Sequence, residues 1–252
     1  MGTFNPLNAR KVPRWLLLPY AAWACLAFLS LGLTVLLLIL PVPRQSLRRR
    51  MVHIAARAAL FACGMPVARR HPEHLPATAC VVVANHSSYL DGIVLCAALP
   101  PRFCFVIKRE MSRVPLANLL LQRIGSHYVA RGGGAAARDT RELLRRADAG
   151  DTLAIFPEGT FQPQPGLAAF RSGAFVIAAR ARLPLVPVAI RGTRRALPGG
   201  SFIPCPGRIT VEIAPPVPPP ASHAGPELDV ARRAVRSAIL ARIGEPDLAP
   251  ES

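Results

Sequence analysis

The run from Trp15 to Leu40 carries no charged side chain, and no other feature limits the fold of this chain so strongly. Such a stretch has to leave water, into a protein core or into lipid. As a helix its 26 residues would reach about 39 Å at ~1.5 Å per residue. The hydrocarbon core of a bilayer is about 30 Å thick. A cleaved signal peptide is the competing reading, with Arg10, Lys11 and Arg14 as its basic start. The uncharged run continues for fifteen residues beyond Cys25, longer than an ordinary signal core, which favours a retained anchor. Pro19, Pro41 and Pro43 allow this segment either to cross the bilayer or to dip into one leaflet. Arg44, Arg48, Arg49, Arg50 and Arg57 come before the first acid, Glu73. The positive-inside bias places the chain beyond the anchor on the cytoplasmic side of a membrane. The same arginines read as a contact with anionic lipid headgroups, or as a solvated helix face.

Beyond Gly64 and Pro66, short apolar runs alternate with helical patterns. Strands are expected at 79–84, 103–107, 126–130, 152–156, 183–190 and 208–213, and helices at 89–99, 115–125, 137–150, 170–181 and 227–244. Pro100 and Pro101 end the first helix, and the second runs from Pro115 to Gly125. This order predicts an α/β fold: a mostly parallel central sheet flanked by helices, preceded by an N-terminal membrane-embedded helical segment. The expected division is an anchor at 1–44, a basic juxtamembrane helix at 45–66, the α/β domain at 67–214, and a Pro-rich linker with an amphipathic helix at 215–252.

The formal charge is +17, and only Lys11 and Lys108 of the 31 basic residues are lysines. With many alanines and prolines, the arginine usage points to a GC-rich bacterial gene. Excess charge of this sign favours polyanions: anionic lipid, an acidic carrier or nucleic acid. The chain has no recognisable helix-turn-helix, RRM-type aromatic set or zinc pattern, so no nucleic-acid partner is expected. The six cysteines form no CxxC pair, which argues against a zinc site or a disulfide framework and for free thiols. No metal is expected.

Two clusters carry chemistry. In "VVVANHSSYLDG" (81–92) a buried strand ends on Asn85 and His86, at the edge where open α/β sheets bind ligands. On a straight helix Asp91 would sit about 140° away from His86. A turn at Ser87 and Ser88 can instead fold the carboxylate back onto the imidazole, fixing its tautomer and raising its basicity. That is the base half of a Ser-His-Asp triad, without a GxSxG nucleophile, so a substrate would supply the hydroxyl. By spacing alone, a histidine that caps the next helix explains the same residues. In "IFPEGTF" (155–161) another strand ends, with Glu158, Gly159 and Thr160 in the turn after it. Lys108, Arg109 and Arg131 lie at loop positions, and arginine can grip phosphate in a bidentate fork. A basic surface accounts equally for any one of them.

"NHSSYLD" followed by "FPEGT" resembles the glycerolipid acyltransferases, the 1-acyl-glycerol-3-phosphate acyltransferase group. Gly125 to Arg131 is similar to the second motif of that family, and "LPLVPVAI" to its fourth, in order across about residues 70–215. The resemblance implies transfer of an acyl chain from acyl-CoA or acyl-carrier protein to a lysolipid hydroxyl, with no further cofactor. It implies His86 as general base and Asp91 as the residue that orients it. It places Arg131, Glu158, Gly159 and Thr160 in the acceptor and phosphate region, and Arg171 close enough behind the third motif to join them. Many members carry Asp where Ala130 stands and Arg or Ser where Phe161 stands. These departures bear on the acceptor: lysophosphatidate stays the first reading, other lysolipids are the second, and an inactive lipid-binding scaffold is the third. The expected location is a bacterial inner membrane, with the catalytic domain facing the cytoplasm.

Overall fold

The computed structural model describes residues 14–129, 133–201 and 203–249, without the side chains of 14–17 and 133–138. Seven strands are described: β1 (Val67–Arg70), β2 (Val81–Ala84), β3 (Phe103–Lys108), β4 (His127–Val129), β5 (Thr152–Ile155), β6 (Leu185–Arg191) and β7 (Ile209–Ile213). They form one sheet in the order β1-β7-β6-β2-β5-β3-β4. Every pairing is parallel except β6 with β7. The mostly parallel sheet expected from the alternating pattern is present.

The helices are α1 (Arg14–Ile39), α2 (Gln45–Ala62), α3 (Asp91–Ala98), α4 (Pro115–Arg123), α5 (Gly133–Asp148), α6 (Gly173–Arg180), α7 (Thr193–Ala196) and α8 (Pro226–Ile243). Val82, Ala84, Val186 and Val188 point to one face of the sheet, where Leu60 of α2 and Val94 of α3 cover them. Val81, Val83, Leu153 and Leu185 point to the other, under Phe175 of α6 and Val235 of α8. Successive strand residues thus feed opposite cores, which is why the strands read as unbroken apolar runs.

Three details add to the sequence pattern. β1 is absent from that pattern, because "VARR" is a short, half-exposed edge strand with no apolar run to betray it. Pro187 does not break β6. Its carbonyl accepts from the Ala214 N–H at 2.9 Å just past the end of β7, so its missing donor falls where that ladder is ending. The Pro-rich stretch after β7 is anchored too, by Leu185 and Val217 exchanging backbone hydrogen bonds of 2.9 and 2.8 Å.

α1 folds back on α2 as an antiparallel hairpin. Tyr20 Oη donates to the Cys63 carbonyl at 2.6 Å, and Trp23 Nε1 to that of Ala62 at 3.2 Å. Ala21, Ala24 and Ala27 allow the close approach. Leu18–Ile39 is long and apolar enough to cross a membrane. Its outer face carries Leu26, Leu29, Leu33 and Leu37, all exposed. Leu47, Ile54 and Phe61 of α2 form a second exposed stripe at seven-residue spacing.

The arginines after the anchor divide by role. Arg48 Nη1 donates to the Arg123 carbonyl and Arg49 Nε to that of Ile124, each at 2.8 Å, closing the C-terminus of α4. Arg57 Nη1 reaches the Ala97 carbonyl at the end of α3 at 3.2 Å. Cations there complement the helix dipole. Arg44 and Arg50 are exposed and keep the headgroup-contact role open to them.

Leu60 is fully buried beneath the α1–α2 hairpin. Leu60→Ala is expected to cost about 2–5 kcal/mol, read as a lowered denaturation midpoint in detergent.

Candidate active site

β2 and β5 are neighbours in the centre of the sheet, with Val83 opposite Ile155. Their C-terminal ends therefore deliver the two motifs to one place. Asn85 prolongs β2 without continuing it. Its side-chain carbonyl accepts from Ile190 N–H at 2.7 Å, and its amide donates to the Ile190 carbonyl at 3.0 Å. A side chain has replaced a backbone rung, and the main chain is free to turn.

That turn is organised by one carboxylate oxygen. Asp91 Oδ2 accepts from Ser87 N–H at 2.6 Å, from Ser88 N–H at 2.8 Å and from His86 Nδ1 at 2.9 Å. Asp91 is fully buried at the first residue of α3. Because the carboxylate accepts, the proton of neutral His86 sits on Nδ1 and the Nε2 lone pair is left unengaged among the described residues. The His86 side chain is 20% exposed, so this atom can be reached. Ser87 and Ser88 are tied below, to Thr193 Oγ1 at 3.1 Å and to the Leu197 carbonyl at 2.7 Å.

Residues 66–191 match the family model described as Acyltransferase, half of the chain. The chain belongs to the Acyltransferase family. It is 28% identical over 200 residues to the 1-acyl-sn-glycerol-3-phosphate acyltransferase of Cocos nucifera, covering 75% of this chain and 65% of that protein. It is 29% identical over 187 residues to the protein of the same name from Limnanthes alba, covering 73% and 66%. The chain thus spans less than two thirds of the length of these relatives. The crystal structure of the 1-acyl-sn-glycerophosphate (LPA) acyltransferase PlsC from Thermotoga maritima has the same fold. The TM-score is 0.74 at 24% identity, over 92% of this chain and 95% of that one.

In this Acyltransferase-family chain the second motif cluster braces the first. Glu158 Oε1 accepts from His86 N–H at 2.7 Å, and Oε2 from Ala168 N–H at 2.9 Å. Both oxygens face backbone donors, so Glu158 holds the loop together. Burial pushes its carboxyl from 4.5 up to about 7, against the pull of the two N–H groups and of His86. Gly159 has φ +73°, and a Cβ there would lie 3.1 Å from Arg171 Nε. Glycine therefore lets the guanidinium lie directly against the turn. Thr160 and Arg171 are exposed at the rim, and no carboxylate pairs with Arg171 among the described residues. Arg131 and Ala130 lie outside the described residues. Gly125, which opens their motif, ends α4 with φ +75°.

Lys108 and Arg109 are engaged elsewhere. Lys108 pairs with Glu110 at 3.2 Å, and Arg109 with Asp139 at 2.9 Å. Phe161 is at the site itself. Its ring meets the His86 ring edge-on at 4.9 Å and the Tyr89 ring at 4.7 Å, while Phe156 stacks on His86 at 4.3 Å. Sequence reasoning singles out none of Asn85, Phe156, Tyr89 or Thr193 as site-building. Asn85 does carry a signal, a polar residue directly after four buried ones. Thr193 carries none. Among the described residues no three His, Cys, Asp or Glu side chains gather as metal ligands, and all six cysteines are free.

The raised carboxyl of Glu158 makes stability depend on pH. A folded-state pKa above the unfolded one stabilises the fold in acid. That contribution is complete below about 4.5 and is lost as pH rises through about 7. Glu158→Gln is expected to flatten this fall, which for one proton is at most about 1.4 kcal/mol per pH unit. Denaturant titrations of both proteins across this range check it; parallel curves contradict the assignment.

Proposed function

We propose that this protein transfers a fatty acyl chain from acyl-CoA or acyl-carrier protein to the free hydroxyl of a lysolipid. The acceptor is 1-acyl-glycerol-3-phosphate, and the product phosphatidate. The observation that carries this reading is the His86–Asp91 pair at the sheet edge, with Nε2 open beside the Glu158–Gly159 turn. The names of the relatives support it.

His86 Nε2 takes the acceptor hydroxyl proton as the oxygen attacks the thioester carbonyl. Asp91 steadies the imidazolium that forms. The tetrahedral intermediate collapses, the C–S bond breaks, and the imidazolium returns the proton to the leaving thiol. The chain needs no nucleophile of its own and no acyl-enzyme, and the donor is a substrate, so no cofactor is required. Glu158 orders the loop, Gly159 and Thr160 admit the acceptor head, and Arg131 and Arg171 receive its phosphate.

The exposed leucines of α1 and the Leu47–Ile54–Phe61 stripe sit in lipid, with Arg44 and Arg50 at anionic headgroups. Being paired to α2, α1 enters the membrane as half of a hairpin. The location is a bacterial inner membrane, with the catalytic site facing the cytoplasm. A different lysolipid acceptor is favoured by one feature, the apolar Phe161 edge at the base.

His86→Ala should lower transfer by about 10²–10⁴-fold while the protein still folds. Asp91→Asn should lose much of the rate as well. The check is labelled acyl-CoA with a panel of lysolipids; near-normal turnover by folded His86→Ala refutes the mechanism.

A charge-assisted hydrogen bond contributes roughly 1.5–3 kcal/mol. Arg131→Ala and Arg171→Ala should each therefore cost about 10–150-fold in kcat/KM for lysophosphatidate, with donor KM nearly unchanged. If both single variants use lysophosphatidate as well as the wild type, this site is not its phosphate pocket, and a phosphate-free lysolipid becomes the acceptor.

A further inference from the structure

The segment after α8 reaches back to the active-site loop, although it lies well outside the 66–191 region that the family model matches. Leu167 N–H donates to the Pro246 carbonyl at 2.9 Å, and Leu248 N–H to the Leu167 carbonyl at 3.1 Å. Residues 246–248 therefore run beside Leu167 in a single parallel β-bridge, with Asp247 opposite Leu167. At Gly166 a Cβ would lie 2.3 Å from Leu248 Cγ, so this glycine lets the tail lie flat on the loop.

Two arginines fasten the contact. Arg194 grips Glu245 with Nε to Oε1 at 2.9 Å and Nη2 to Oε2 at 3.0 Å, and its Nη1 donates to the Gln162 carbonyl at 2.6 Å. Glu245 Oε2 also accepts from Gly166 N–H at 2.8 Å. Arg236, 6% exposed, donates from Nη1 to Asp247 Oδ2 at 2.7 Å and from Nη2 to both Asp247 Oδ1 and the Leu167 carbonyl. Bidentate guanidinium–carboxylate pairs fix direction as well as distance.

Both clamps lead to His86. One route runs from Leu167 to Ala168, whose N–H holds Glu158, which holds the His86 N–H. The other runs from Arg194 to its neighbour Thr193, hydrogen-bonded to Ser87. We propose that residues 245–248 are a strap that positions the base and its loop, with Glu245 and Arg194 as positioning residues for the transfer reaction. The strap sits on the loop that carries Phe161, so it also sets where that ring stands against the imidazole. This proposal rests on the acyl-transfer reading for its kinetic consequence alone.

The test uses the full chain with Glu245→Gln or Arg194→Lys, each removing one bidentate fork while leaving Arg236–Asp247 intact. A deletion of residues 245–252 is made with Arg236→Met and Arg194→Met, so that neither guanidinium is left without its carboxylate. Misplacement of a catalytic group by about 1 Å can cost 100-fold, so kcat is expected to fall about 10–100-fold. Donor KM should stay nearly unchanged, and the denaturation midpoint should move little. Hydrogen exchange at the His86 and Ala168 amides should quicken in all three variants. The strap is refuted if kcat stays within about twofold of wild type, or falls only with the folded fraction. If the wild type acylates no lysolipid, the acyl-transfer reading falls, and amide exchange still decides the strap: unchanged protection overturns it.

Discussion

One carboxylate oxygen organises the centre of this protein. Asp91 Oδ2 is the common acceptor for the Ser87 and Ser88 amides and for the His86 ring. All three donors lie between the end of β2 and the start of α3, and Ser87 and Ser88 are buried there. Backbone N–H groups left unpaired there would cost about 1–3 kcal/mol each. An aspartate at the start of α3 satisfies them and also complements the positive end of the helix. The base is thereby oriented by the interaction that folds the turn. The spacing of five residues has the same origin: it is the reach of a tight turn before a helix, and two residues on one helical face have no part in it.

The adjacency of β2 and β5 then adds a second carboxylate with a different task. Asp91 is surrounded by donors on one oxygen, including a ring that can become charged. Glu158 meets only backbone donors, one at each oxygen, in a dry position that raises its carboxyl to about 7. Neither oxygen faces out toward a substrate. Environment sorts two nearby acids into an orienter and a brace, as it does wherever paired carboxyls differ in solvation. Of the titratable groups here, His86 alone keeps a ring nitrogen without a partner among the described residues, which is why the proposed reaction gives the proton transfer to it.

Much of this is readable in the chain, for physical reasons that differ by element. Strands buried on both faces announce themselves as apolar runs, so β2, β3, β5 and β6 fall within a few residues of their expected places. β1 is invisible because its edge position buries little, and α7 because four residues carry no period. The link between His86 and Asp91 is readable as a turn with a carboxylate in reach. The destinations of Arg48 and Arg49 are not. An arginine-rich stretch reads the same whether its forks meet headgroups or the carbonyl end of a helix 75 residues away. The clamps on 245–248 escape for the same reason, since long-range polar contacts leave no local pattern.

The surroundings of His86 bear on its chemistry beyond its link to Asp91. Phe156 lies nearly parallel to the imidazole, 19° between planes, while Phe161 presents itself at 72°. Both rings pack against the imidazole without offering it a hydrogen bond. Nε2 is left without a partner among the described residues. When the ring takes up a proton, its charge lies over the negative face of Phe156, a geometry that favours a cation by about 0.5–2 kcal/mol. A basic side chain in place of Phe161 would sit against the developing imidazolium, where like charges repel. Under the proposed reading, phosphate recognition would accordingly lie away from His86, toward the guanidinium of Arg171 lying on Gly159.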